Sequence, residues 1–147
     1  AGLEVHLRII GEPSTKQVAM LEGHGIQFSA ASKLSEEELQ EEYAAADVLL
    51  FCSTLEGYGM PIIEAQTIGV PVVTSDRSPM RETAGDGAVL ADPDDATSIR
   101  EAVLRVLNED EFRAGLVAKG NANAAACSAE RSAQLHAELY CALMPAD

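Results

Sequence analysis

Two glutamates, Glu56 and Glu64, flank the stretch of this chain best suited to chemistry. Between them stand Gly57, Tyr58, Gly59, Met60, Pro61, Ile62 and Ile63. A carboxylate accepts hydrogen bonds, and its natural neutral partners are hydroxyl donors such as those of a sugar. Two glycines let a ligand approach the backbone closely. Pro61 stands where a helix begins, at the position proline favours. A helix starting there points its free N–H groups and positive dipole end at the space beside the glycines, which suits a phosphate or diphosphate. Carboxylates beside a phosphate site are electrostatically adverse unless they serve the hydroxyls of the same ligand. Spacing alone leaves the plain alternative open, with Glu56 a turn residue and Glu64 a solvated helix acid. The Gly-rich strand-to-helix turn favours the functional reading.

The elements that would position these residues follow from periodicity. Val5 to Ile10 predicts a strand, and Ile26 to Phe28 a short one. Ser14 with Gln17, and Ser35 with Glu38, form capping boxes that open two helices. The first ends at Gly23 or Gly25. The second runs to about Ala46, with Leu34 and Leu39 placed as a hydrophobic staple. Asp47 to Cys52 is a continuous apolar run, as in a strand covered on both faces. A helix from Pro61 ends at Gly69, and Val70 to Thr74 and Ala88 to Leu90 are further strands. Asp92 to Asp95 turns the chain into a helix whose Ile99, Ala102, Val103, Val106 and Leu107 form one apolar stripe. Glu109 to Lys119 predicts another helix, residues 120–126 a linker, and residues 127–143 a C-terminal helix capped by Ser128, with Leu135, Leu139 and Leu143 on one face. This βα alternation implies an α/β, Rossmann-like fold, a parallel sheet with helices on both faces. Ligands then sit at the carboxyl ends of the strands, in the loops after Ile10, Phe28, Cys52 and Thr74.

Composition bounds the partners. The 147 residues carry a formal charge of −14, which repels nucleic-acid backbones and anionic lipid head groups. Apolar residues make up 47% of the chain, enough for the core of one ordinary domain without metal or disulfide staples. Cys52, Cys127 and Cys141 are odd in number and widely spaced. They predict free, mostly buried thiols in a reducing, cytoplasmic setting. No signal peptide and no apolar run of bilayer-spanning length are visible, so no membrane contact is expected of this chain.

The segment from Tyr43-Ala44-Ala45-Ala46-Asp47 through Glu56-Gly57-Tyr58-Gly59, Glu64 and Gly69-Val70-Pro71-Val72-Val73 resembles the signature of the GT-B retaining glycosyltransferases, the GT4 or glycosyl transferases group 1 family. The resemblance continues through Arg81-Glu82-Thr83-Ala84-Gly85, Asp92-Pro93 and Ser128-Ala129-Glu130-Arg131. Any one motif is weak; the ordered set is specific. It implies that residues 1–147 are the donor-binding, C-terminal half of a GT-B fold, incomplete at the N-terminal edge and separated from the acceptor-binding half. The implied reaction is retaining transfer of a hexose from a nucleotide-diphosphate sugar to a glycan or lipid-linked acceptor. The donor is a substrate, GDP-mannose or a UDP-sugar, and no cofactor or metal is implied. By position, Glu56 would be the catalytic-centre residue that holds the hydroxyls of the donor sugar, without acting as nucleophile. Gly57, Tyr58 and Gly59 would offer backbone to the same sugar. The N–H groups of Met60, Ile62 and Ile63 would face the diphosphate, and Glu64 would accept from the ribose. The isolated chain would then fold but not catalyse transfer. The stretch Ser75 to Glu82 is similar to that of mannosyl-transferring relatives, which tilts the donor towards GDP-mannose.

Two departures from the family bear on the donor site. The family's earlier strand, with the Arg and Lys that neutralise the diphosphate, has no counterpart ahead of Val5. The family's glycine near the base is absent too, for Phe28 is followed by Ser29-Ala30-Ala31-Ser32-Lys33. Lys33 and Arg77 are the remaining cations to consider. His6, His24, His136 and Cys52 read as structural. Rival classes fit less well. A phospho-accepting receiver domain needs an Asp at a central strand end, where Cys52 stands. A dinucleotide-binding domain needs G-x-G-x-x-G, which Gly11-Glu12-Pro13 does not supply. A non-catalytic nucleotide-binding domain of the same fold stays open.

Overall fold

The computed structural model describes residues 4–144. The chain divides into two units, one ending at Glu41 and the other beginning at Glu42. In the first unit, β1 (His6–Ile10), α1 (Thr15–Gly23) and β2 (Gln27–Ala31) lead into α2 (Glu36–Ala44), which crosses the division. β1 and β2 pair in parallel, from His6 opposite Gln27 to Ile10 opposite Ala31. Parallel neighbours need a crossover, and α1 supplies it. Its capping box is formed as expected: Ser14 N–H donates to Gln17 Oε1 at 2.8 Å and Gln17 N–H to Ser14 Oγ at 3.3 Å. α2 opens on the second box, where Ser35 N–H donates to Glu38 Oε2 at 2.7 Å. That hydrogen bond holds the Glu38 carboxyl below its usual range. β2 runs through Ala31, beyond the expected end at Phe28. Pairing with β1 supplies the hydrogen bonds that the weak strand preference of Ser29 to Ala31 does not.

The second unit contains β3 (Leu49–Phe51), α3 (Met60–Ile68), β4 (Val72–Ser75), α4 (Met80–Ala84), β5 (Ala88–Ala91), α5 (Ala96–Asn108), α6 (Asp110–Ala126) and α7 (Ala129–Leu143). Its sheet is parallel, in the order β3-β4-β5. Neighbouring residues of a strand face opposite ways. In central β4, Val72 and Val73 are both fully buried, so both faces are covered. Val73 packs with Ala91, with Ala102 and Val106 of α5, and with Leu116 of α6. α3 packs on β3 and β4. Each fully buried valine in this core contributes roughly 1.5–3 kcal/mol. The α/β, parallel, helix-flanked architecture is the one expected, with its strands hydrogen-bonded as a pair and a triplet.

Three expectations are corrected. Residues 120–126 are no linker but the second half of α6. Gly120 lies against Gln66, whose Cγ would stand 3.0 Å from a Cβ there, and the close pass of α6 to the chain before β5 demands a glycine at 87, where a Cβ would lie 2.5 Å from Gly120 Cα. The short helix α4 was not anticipated, its five residues being too few to show a period. The thiols are not mostly buried, since Cys127 and Cys141 are exposed and only Cys52 is partly covered. Cys127 follows the end of α6 and Cys141 lies on α7, whose Leu135, Leu139 and Leu143 are exposed as well. No helix among the described residues is long and apolar enough to cross a membrane.

Candidate functional site

The site lies where the loop after β3 meets the start of α3, at the carboxyl edge of the β3-β4-β5 sheet. Gly59 makes the turn possible. Its φ is +94°, in the left-handed region, and a Cβ there would press on Ile62 Cδ1 at 3.2 Å. Gly57 differs: nothing lies within 4 Å of a Cβ built on it. Its lack of a side chain serves no internal packing and leaves room for something outside the protein. Pro61 stands in the first turn of α3, as expected.

Glu56 is half-buried in the loop and Glu64 half-buried on α3. Glu64 is not a freely solvated helix acid. The Tyr43 hydroxyl donates to its Oε2 at 2.8 Å. Burial first, then the hydrogen bond and charge of Glu64, raise the Tyr43 hydroxyl far above the usual tyrosine range. Tyr43 therefore stays a donor at any ordinary pH, and one lobe of the Glu64 carboxylate is fixed by it. The expected trio of outward N–H groups is reduced. Ile62 N–H donates to Gly59 O at 3.0 Å, closing the first turn of α3 on itself, and the Ile62 side chain is fully buried. Met60 and Ile63 remain as the N–H groups at the helix start. Tyr58 is largely exposed. Hydrogen bonding with the Cys127 thiol, then partial burial, raises its hydroxyl above the usual range. Burial does the same to the Cys52 thiol at the end of β3.

The loop is tied to buried hydroxyl groups that sequence reasoning did not single out. Thr74 Oγ1 donates to Phe51 O at 2.8 Å. Ser75 Oγ donates to Ser53 O, and Thr83 Oγ1 to Tyr58 O at 2.5 Å. The available signal was the break from apolar to hydroxyl residues at Thr74-Ser75, which a buried strand tolerates only if the hydroxyls find partners. Of the cations considered, Arg77 pairs with Asp94 at 2.5 Å on the surface. Lys33 lies in the first unit, exposed, with φ +57°. His6 bonds Ser29 Oγ at 2.7 Å, and His24 and His136 each bond a carbonyl one turn back. Among the described residues no three His, Cys, Asp or Glu side chains gather to hold a metal ion.

Comparison with known proteins bears on this geometry. The family described as Glycosyl transferases group 1 matches residues 2–122. The chain is similar to the O-antigen chain mannosyltransferase B of Escherichia coli, 40% identical over 89 residues, which are 60% of this chain and 23% of that protein. It is also similar to the D-inositol 3-phosphate glycosyltransferase of Corynebacterium urealyticum, 32% identical over 106 residues, 71% of this chain and 25% of that one. The matched stretch thus spans about a quarter of the length of these curated relatives. Among solved structures, Anabaena HepE in complex with UDP and glucose superposes with a TM-score of 0.78 at 18% identity, covering 92% of this chain and 40% of that one.

Proposed function

The chain belongs to the glycosyl transferases group 1 family, and on that premise we propose that it is the donor-binding domain of a retaining hexosyltransferase. The donor is a nucleotide-diphosphate sugar and the acceptor a glycan or lipid-linked glycan held by another part of the enzyme. The observation that carries this reading is the strand–loop–helix edge itself. It places Glu56, an open Gly57, the start of α3 and a pre-oriented Glu64 in succession.

The roles follow from chemistry. Glu64 accepts from the ribose hydroxyls with the oxygen that Tyr43 leaves free. The N–H groups of Met60 and Ile63, with the positive end of α3, face the diphosphate and stabilise the charge that grows on it as the sugar departs. Glu56 and the Gly57–Gly59 backbone hold the sugar ring. Helix N–H groups take the place of a divalent cation. The acceptor attacks from the face the nucleotide leaves, so configuration is retained without a covalent enzyme intermediate. A mannosyl donor carried by GDP is favoured by the likeness to the Escherichia coli protein, whose name is that of a mannosyltransferase. The enzyme acts in the cytoplasm, where nucleotide sugars are made.

The test is thermal shift of the full-length enzyme with GDP, UDP, ADP, GDP-mannose and UDP-glucose. GDP and GDP-mannose are expected to raise the melting temperature. A rise with UDP and UDP-glucose alone would replace the base, and no rise with any of them would remove the donor site.

A further inference from the structure

The Glu56 loop is held at both ends by side chains outside it. Ser75 takes Ser53 O at its start and Thr83 takes Tyr58 O at its end. Ser75 is fully buried and Thr83 is 4% exposed. Between the two ties lie Thr54, Leu55, Glu56 and Gly57.

Thr83 is itself locked. The Asn123 side-chain amide donates to Thr83 O at 2.8 Å and to Gln66 Oε1 at 2.8 Å. Gln66, 1% exposed, donates through Nε2 to Ala84 O at 3.0 Å. Three helices, α3, α4 and α6, are thereby joined by one buried polar network whose last member reaches the loop. Among the described residues no buried side-chain polar atom lacks a partner. A satisfied buried network specifies one arrangement, because any other leaves a polar group unpaired in low dielectric. Valine has the shape of threonine, so packing alone does not require the hydroxyl at position 83.

We infer that Thr83, backed by Asn123 and Gln66, is a positioning residue for the donor sugar. Its bond to Tyr58 O fixes the peptide planes of Gly57 to Gly59 and the height of Glu56 above the sheet edge, and Ser75 fixes the opposite end. The inference rests on the proposed role of Glu56 and its loop. It adds a separation: Glu64 is oriented by Tyr43, not by this network, so losing the Thr83 hydroxyl should harm the grip on the sugar and spare the grip on the nucleotide.

The experiment uses full-length Thr83→Val, Thr83→Ser and Glu56→Gln enzymes. Dissociation constants for GDP-mannose and GDP, or UDP-glucose and UDP if the wild type prefers them, are measured by calorimetry, which needs no acceptor. Amide hydrogen exchange is followed over residues 53–60. In Thr83→Val, sugar-nucleotide binding should weaken about tenfold, the loss of one buried hydrogen bond, and exchange should quicken in residues 53–60. Nucleoside diphosphate binding should hold, and Thr83→Ser should restore both readouts. Wild-type binding and exchange in Thr83→Val would overturn the inference. So would equal losses in Thr83→Val and Thr83→Ser, or exchange quickened equally in α3 and α6. A Glu56→Gln enzyme that keeps wild-type sugar-nucleotide binding would instead remove the donor-site reading, and the positioning role with it.

Discussion

The Tyr43 hydroxyl lies 2.8 Å from Glu64 Oε2 and donates a hydrogen bond to it, so a residue at the end of α2 aims a carboxylate on α3. A hydrogen bond to a charged group is worth roughly 1.5–3 kcal/mol. Tyr43→Phe should therefore weaken nucleoside diphosphate binding by the full-length enzyme about tenfold. The ratio between sugar-nucleotide and nucleotide affinity should not move. Calorimetric titration of both proteins checks this; equal dissociation constants would show that Glu64 needs no such aim.

The same pair makes a pH prediction. Burial, then Glu64, raises the folded-state pKa of Tyr43 above its unfolded value of about 10. In that window the folded state holds a proton the unfolded state has lost, so stability falls as pH rises. The contribution is complete below about pH 10 and fades above it. Denaturant midpoints of wild type and Tyr43→Phe, compared from neutral pH upward, should converge above that value. Parallel curves would mean that the hydroxyl titrates normally.

Gly57 and Gly59 should separate fold from function. At Gly59 a side chain meets both a positive φ and Ile62, so Gly59→Ala should cost about 1–2 kcal/mol of stability. Gly57→Ala meets nothing within the protein. It should leave the melting temperature alone while weakening binding of the sugar nucleotide. A Gly57→Ala enzyme with unchanged donor affinity would mean that no ligand approaches there.

How much of this was legible in the sequence varied with the kind of signal. Capping boxes at Ser14 and Ser35, the proline and glycine that bound α3, and the stripe from Ile99 to Leu107 are local, and the structure repeats them. Gly120 to Ala126 looked like a linker because glycine and asparagine are poor helix formers. There Gly120 answers a tertiary demand, the close pass of Gln66 beside the Gly87 backbone, and Asn123 answers Gln66 and Thr83. Those partners are tens of positions away, which no local pattern records. The candidate site behaves the same way. Glu56 and Glu64 were visible from spacing and resemblance. That Ile62 N–H is turned inward, and that Tyr43 and Thr83 hold the site from outside, depends on distances between separate elements.

Gly87 then becomes a stability test of that long-range demand. A Cβ there would stand 2.5 Å from Gly120 Cα and 2.6 Å from Gln66 Nε2. The first of these is backbone and cannot swing aside. Gly87→Ala should destabilise by about 1–3 kcal/mol as overpacking. Thermal melting checks it, and an unchanged melting temperature would mean that α6 and the chain before β5 separate freely.

Glu64→Gln tests the assignment at the centre of the site. Glutamine keeps an oxygen to accept from Tyr43, so the α2–α3 contact survives if the amide turns its nitrogen outward. What then faces the ribose is an NH₂ group, a donor where the proposed ligand presents donors. The charge and the acceptor are lost together, at roughly 1.5–3 kcal/mol, so nucleoside diphosphate binding should weaken about 10- to 100-fold. The melting temperature should change little, since the Tyr43 bond persists. Glu64→Ala removes the Tyr43 partner as well and should lower the melting temperature in addition to the affinity. A nucleotide lacking ribose hydroxyls should lose affinity for the wild type but little further for Glu64→Gln, because the interaction it lacks is the one already removed. If Glu64 serves only as Tyr43's partner, Glu64→Gln binds nucleotide as tightly as wild type and only Glu64→Ala melts early. Titrating the three proteins with both nucleotides separates these cases.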